Sequence, residues 1–157
     1  MPSVKNMLMA AAGEAGGDAL NVENVFSTYL YEGTDANQTI TNGVDLSGEG
    51  GLVWIKGRNQ AYNNLLFDTE RGVNKFLASN SAAAEATYAN QLTSFNADGF
   101  SLGQDNIFAE VNNSYGSYAS WTFRKAPKFF DIVTYTGNGT AGRTISHNLG
   151  TTVGSVW

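Results

Sequence analysis

The chain has 157 residues, which is enough for one domain of ordinary size whose core forms without covalent staples. It contains no cysteine, which excludes a disulfide framework, a thiol nucleophile and a cysteine-based zinc site. The net charge of -5 and the scattering of the nine Lys and Arg residues argue against nucleic-acid binding, because phosphate recognition rests on clustered basic side chains.

The sequence gives no indication of membrane insertion. No stretch approaches the run of about 18 apolar residues that a spanning helix needs. The apolar run at residues 7–12 is rich in Ala and marginal in length for a secretory signal peptide. We therefore expect neither membrane insertion nor export by a signal peptide.

Residues 1–24 differ in composition from the rest of the chain. They contain all three methionines, a Gly- and Ala-rich stretch and a helix-like spacing near the start. Met packs well into irregular apolar grooves, which favours a docking segment and linker that become ordered against a larger assembly. The candidate docking residues are Met7, Leu8, Met9, Val22 and Val25. The alternative is an N-terminus that stays disordered.

From residue 25 onward, short segments rich in β-branched and aromatic residues alternate with turn clusters. The run at 51–56 is continuously apolar, which predicts a central strand buried on both faces. Residues 81–90 are ambiguous, and we expect a loop with a possible helical turn. The pattern predicts one domain at 25–127, an all-β antiparallel jelly-roll sandwich. The predicted strands are 25–31, 38–41, 51–56, 64–68, 75–79, 92–95, 99–102, 107–111 and 118–125.

Residues 130–157 repeat the order of motifs found at 26–56. The matching residues lie 103 to 105 positions apart: Tyr31 with Tyr135, Gly33 with Gly137, Ile40 with Ile145, and Trp54 with Trp157. A repeat on this scale indicates a second domain rather than a solenoid, whose period is about 20–50 residues. We therefore expect residues 128–157 to be the first strands of a second β-domain, and the native polypeptide to continue beyond them.

We find no catalytic constellation and expect neither enzymatic activity nor a cofactor. The lone His147 corresponds to the turn residue Asn42 in the first copy. Carboxylates are dispersed, and the acidic groups at 68–70 and 105–106 lack the spaced pattern of a dedicated calcium loop. Tyr and Asn residues on the predicted loops are typical of sugar-binding faces, and equally of neutral β-protein loops. The candidate glycan contacts are Tyr62, Asn63, Asn112 and Tyr115.

Four segments together resemble the laminin-G/concanavalin-like domains of tail fibres and other virion proteins of tailed phages, most closely those of marine and cyanobacterial phages. They are GGLVWIK at 50–56, LFDTERG at 66–72, SFNADGF at 94–100 and YASWTF at 118–123. In that family, a segment like the one at 130–137 opens a further domain. The resemblance implies a laminin-G-like jelly roll at 25–127 and supplies no catalytic residues.

The resemblance also implies a function. It suggests a virion structural protein, most simply the N-terminal, virion-anchoring part of a tail fibre or receptor-binding protein. Such a chain would assemble in the bacterial cytoplasm, reside in the phage tail as a trimer, and contact the tail adaptor, nozzle or portal-proximal components. Two alternatives stay open: a carbohydrate-binding module for host surface glycans, and a capsid decoration or adhesion protein.

Overall fold

The structure, a computed structural model, describes residues 20–104 and 110–157. Within these residues, a one-turn helix, α1 (Val22–Val25), is followed by nine strands. The strands are β1 (Phe26–Glu32), β2 (Gln38–Thr41), β3 (Gly51–Gly57), β4 (Asn64–Asp68), β5 (Lys75–Ala78), β6 (Ala86–Thr87), β7 (Leu92–Asn96), β8 (Gly99–Leu102) and β9 (Ser117–Arg124).

The strands form two sheets that pack face to face. One sheet has six strands in the order β1-β9-β3-β4-β5-β6, and the other has three in the order β2-β8-β7. Every pairing between named strands is antiparallel. The prediction of an all-β antiparallel sandwich is confirmed.

Three segments differ in detail from the predicted elements. Residues 81–90 contain the two-residue strand β6 and no helical turn. The strand predicted at 107–111 falls largely outside the described residues, and its last two positions lie in a turn. Val25 belongs to α1 rather than to β1, because Asn21 caps this helix by accepting a hydrogen bond from Glu23 N at 3.1 Å.

The central position of β3 explains its apolar sequence. It pairs with β9 on one side and with β4 on the other. Val53 and Ile55 point into the sandwich and are fully buried. Leu52 and Trp54 alternate with them on the outer face, where the Trp54 ring lies 5.6 Å from that of Trp121. The predicted burial is therefore complete on the inner face, whereas on the outer face Leu52 is buried and Trp54 is partly exposed.

The hydrophobic core lies between the two sheets. The six-stranded sheet contributes large side chains such as Phe67, and the three-stranded sheet contributes Phe100, both fully buried. The core residues are Tyr31, Ile40, Val44, Leu46, Val53, Ile55, Leu65, Phe67, Phe76, Leu92, Phe100, Leu102, Val111 and Tyr118. The core thus fixes the relative position of the sheets and of the loops that leave them.

The outer face of the six-stranded sheet is aromatic and is partly covered by the end of the chain. Residues 131–157, all of which the structure describes, form no strand. Their end returns to the sheet, where the Trp157 ring lies 5.2 Å from Phe123, 5.9 Å from Phe130 and 6.2 Å from Trp54. The strands expected at the start of a second domain are thus not formed in residues 131–157. The domain boundary at 127/128 stays a prediction.

Two hydrogen bonds join the beginning of the segment that follows β9 to its later part. Lys128 N donates to Leu149 O at 2.8 Å, and Asn148 N donates to the Asp131 carboxylate at 2.6 Å.

No helix in the described part of the chain is both long and apolar enough to cross a membrane.

Asp45 organises the connection between β2 and β3. Its carboxylate accepts hydrogen bonds from Gly48 N at 2.9 Å and from the Ser47 hydroxyl at 3.2 Å. The Gly48 bond is the main cause that holds the pKa of Asp45 below its usual value, with smaller contributions from Ser47 and from the positive charge of Arg124. The folded state therefore favours the ionised carboxylate.

We expect Asp45→Asn to unfold at a lower urea concentration than the native chain at neutral pH, because a neutral amide accepts the Gly48 bond more weakly. The folded-state pKa is lowered, so the stabilisation is present above the unfolded value of about 3.9 and is lost as the pH falls through the folded value. Urea denaturation at several pH values should show the difference narrowing in acid. Glu49→Gln, which removes an exposed charge from the same loop, is the control, and an equal effect of both would contradict the assignment.

Candidate functional site at the loop end of the sandwich

Three loops meet at one end of the six-stranded sheet, which we call the loop end. They are residues 33–37 after β1, 58–63 between β3 and β4, and 110–116 before β9. The strand register brings them together, because Glu32 pairs with Ser117 and Gly57 pairs with Tyr118. The loop end carries the residues predicted as glycan contacts.

Side-chain amides join the 58–63 loop to the 110–116 loop. Asn59 accepts a hydrogen bond from Ser117 N at 2.9 Å and donates one to Tyr115 O at 3.0 Å. Gln60 donates to the same Tyr115 carbonyl at 3.4 Å. The backbone beneath the Tyr115 side chain is therefore held from one side by the neighbouring loop.

Asn63 and Tyr62 are also engaged within the protein. The Asn63 amide donates to the Glu110 carboxylate at 2.8 Å and accepts from the Asn80 amide at 3.1 Å. Tyr62 is half-buried and packs against the core. It lies so close to Gly57 that a Cβ at that position would be 3.2 Å from the tyrosine ring. Only parts of these two side chains face solvent.

Asn112 is a buried residue whose side chain connects neighbouring segments of the chain, and it is not a surface residue. It is fully buried, and its side-chain oxygen accepts hydrogen bonds from Thr34 N at 3.0 Å and from the Gln38 amide at 2.6 Å. Its amide nitrogen donates to Ala36 O at 2.7 Å and to Gly103 O at 2.8 Å. The interpretation of Asn112 as a glycan contact is therefore corrected, because a ligand cannot reach the side chain and its hydrogen-bonding groups are already occupied.

The 33–37 loop approaches the 110–116 loop so closely that it requires glycine. Gly33 N donates to Gly116 O at 2.9 Å, and a Cβ on Gly33 would lie 2.0 Å from Asn113 O. No side chain larger than hydrogen fits there without moving the backbone. This contact makes the two loops one packed unit.

Two stacked tyrosines support the loop end from the core. The rings of Tyr31 and Tyr118 lie 5.1 Å apart and nearly parallel. Tyr31 donates its hydroxyl proton to Val111 O at 2.8 Å, and the Tyr118 hydroxyl accepts from Asn113 N at 3.0 Å. Burial, and secondarily the neighbouring Tyr118, raises the pKa of Tyr31 well above its usual value, so Tyr31 stays a neutral donor.

Tyr115 is the prominent exposed side chain of the loop end. It is 81% exposed, although its own backbone N–H donates to the Asn113 side chain at 2.9 Å. The structure thus places Tyr62, Asn63 and Tyr115 at the same end of the sandwich. Of these, only Tyr115 presents most of its surface to solvent.

The predicted docking residues are distributed differently. Met7, Leu8 and Met9 lie outside the described residues. Val22 is 61% exposed on α1, whereas Val25 is fully buried. Val25 is therefore part of the packed fold, and Val22 is the described candidate that a partner can reach.

The acidic turn after β4 is occupied by cationic side chains of the same chain. Asp68, which is buried, forms an ion pair with Arg71, and Glu70 pairs with Lys125 at 2.5 Å. The Glu70 hydrogen bond is the main cause that raises the pKa of Lys125. Across residues 20–104 and 110–157, no three His, Cys, Asp or Glu side chains are grouped so that they could hold a metal ion.

We expect Asn112→Ala to destabilise the fold, because each buried polar group left without a partner costs about 1–3 kcal/mol. The free energy of unfolding should fall by several kcal/mol in urea denaturation. Tyr115→Ala is the matched control in the same loop and should change stability by no more than about 0.5 kcal/mol, since its side chain is exposed. A small effect of Asn112→Ala would contradict the conclusion that the hydrogen bonds of its side chain stabilise the fold.

Comparison with known proteins identifies the family but no named relative. No curated protein and no solved structure matches the chain. One family model, described as a domain of unknown function (DUF7483), matches residues 22–156, which include α1, all nine strands and most of the segment after β9. The match spans most of the sequence, and the chain therefore belongs to the DUF7483 family.

Proposed function

We propose that the chain is a structural protein of a tailed-phage virion, namely the N-terminal, virion-anchoring part of a tail fibre or receptor-binding protein. The observation that carries the proposal is where the four phage-like segments lie. Those at 50–56 and 118–123 lie almost entirely in the neighbouring strands β3 and β9. The segment at 66–72 covers the end of β4 and the turn after it, and the segment at 94–100 covers the turn of the β7–β8 hairpin and its flanking strand residues. The resemblance therefore rests on strands of the sandwich and the turns that follow β4 and β7, and not on the three loops of the loop end.

The path of the chain supports a display module. Phe26 begins β1 and pairs with Phe123 near the end of β9, so the chain enters and leaves the sandwich at the same end. The loop end lies at the opposite end of these strands. A module attached in this way presents its loop end away from its covalent connections. If one particle displays several copies, their individually weak contacts would together give a strong attachment.

Docking through the N-terminal segment can be tested on particles of the phage that encodes the chain. Removing residues 1–17 behind a new start methionine should leave a folded sandwich, because the first described helix begins at Val22. The truncated chain should be absent from purified particles, as measured by immunoblot and mass spectrometry, whereas a Tyr115→Ala chain should be retained. Truncated chain in the particles would contradict docking through this segment.

Immunogold labelling of the full-length chain separates the virion assignments. Label on the tail supports the proposal, and label on the capsid favours a decoration protein instead. Particles that contain none of the full-length chain would contradict any structural role in the virion.

A second proposal is that the loop end binds host surface glycans. Its support is Tyr115, which is 81% exposed on a backbone held by Asn59, Gln60 and Asn113. A tyrosine offers a ligand both an apolar ring face and a polar hydroxyl, and a pre-ordered loop loses little entropy on binding.

We expect Tyr115→Ala to lose binding to glycans that the native chain retains on a glycan array. The folded state should be unaffected, because the side chain packs little against the protein. Val73→Ala, which shortens an apolar side chain that is 43% exposed in the β4–β5 turn, is the control. A native chain that binds no glycan, or binding that survives Tyr115→Ala, would reject this second proposal.

A further inference from the structure

β1 is an open edge of the six-stranded sheet. Among the residues that the structure describes, it pairs with β9 alone. β1 has seven residues, whereas the other edge strand of this sheet, β6, has two. The edge strands of the second sheet, β2 and β7, have four and five. A long edge strand presents a row of unpaired backbone N–H and C=O groups, on which another strand can add.

The side chains of β1 leave this edge unprotected. Natural edges are commonly blocked by Lys, by Pro or by inward-pointing charges. β1 has none of these, and its single charged residue is Glu32 at its end. Leu30 is 58% exposed and Tyr29 is 38% exposed near the middle of the strand. These two side chains point to opposite faces of the sheet, so apolar surface borders the open backbone on both faces.

We propose that β1 pairs antiparallel with β1 of a second copy of this chain, across a two-fold axis at Tyr29. The two six-stranded sheets then join into one continuous sheet. The contact is self-complementary, as a two-fold interface requires. Tyr29 faces Tyr29 of the second copy, and Leu30 faces Thr28 of the second copy on the outer face of the sheet.

The position of the charge selects this antiparallel arrangement. In the register centred on Tyr29, Glu32 lies opposite Phe26 of the second copy, so the two Glu32 carboxylates are at opposite ends of the contact. A parallel arrangement in register would place the two carboxylates side by side, which is destabilising. The antiparallel pair therefore brings the neutral residues 27–31 of one strand against the same residues of the other.

The contact is small, so its strength depends on concentration. Stable protein interfaces bury about 1,200–2,000 Å², and one pair of seven-residue strands provides less. We therefore expect a weak dimer in solution, strengthened where several copies are held on one scaffold. This contact does not depend on the proposed virion role and can be tested on the isolated full-length chain.

Sedimentation velocity over a concentration series gives the test. As the protein concentration rises, the apparent mass of the native chain should increase from 16.8 kDa to twice that value. Leu30→Lys and Thr28→Glu should each weaken the dimer at least tenfold, because each introduces two like charges close together at the centre of the contact. The double variant should restore it, since each new glutamate then lies opposite a new lysine of the second copy. Both positions are exposed, so the variants should fold.

Val73→Lys is the control, because it adds one positive charge at an exposed apolar position away from β1. It should dimerise like the native chain, and circular dichroism should show all variants folded. A native chain that stays monomeric up to about 1 mM, or that forms the trimer implied by the phage resemblance, overturns the proposal. It is also overturned if the single variants dimerise normally, if the double variant stays weak, or if Val73→Lys weakens the dimer equally.

Discussion

The pairing of β9 with both β1 and β3 is the constraint on which the rest of the structure depends. It joins the beginning of the domain to its end, since the Ser120 hydroxyl lies 3.4 Å from Tyr29 O across 91 positions of sequence. The start of β9 carries the loop end, and its end carries the exit of the chain. Because β9 lies between β1 and β3, it also leaves β1 at the edge. The positions of the loop end, of the chain exit and of the β1 edge thus all follow from the position of β9.

The fold was predictable from sequence where the signal is local. The continuous apolar run at 51–56 predicts β3, and the predicted strands at 92–95 and 99–102 match β7 and β8 closely. Alternation of side chains along β9 distinguishes its two faces, but it does not identify the face that packs against the core. That face carries Ser120 and Thr122, both fully buried, whereas the aromatic Trp121 and Phe123 lie on the outer face. Contacts with residues distant in sequence decide which face of β9 packs against the core, and a local sequence pattern does not indicate those contacts.

The candidate site was predictable only in part, for the same reason. Tyr115 and Asn112 both occur in one polar loop, yet one is exposed and the other is buried. The difference arises from hydrogen bonds between Asn112 and residues 74 to 78 positions earlier, including Thr34 and Gln38. An asparagine that contacts a ligand and one that bonds to distant backbone look alike in sequence. The connecting role of Asn59 was missed because its partners also lie in another loop.

The two ends of the sandwich and its β1 edge are three separate surfaces of the domain. The chain enters and leaves the strands of the sandwich at the end where Phe26 meets Phe123, and the hydrogen-bonded loops with Tyr115 lie at the other end. The β1 edge runs along the side between them, and Leu30 is exposed there without contributing to either end. Addition of a strand at this edge would leave both ends accessible. The proposed lateral pairing of copies is therefore compatible with the proposed anchoring at one end and the proposed glycan binding at the other, because each would use backbone and side chains that the others leave free.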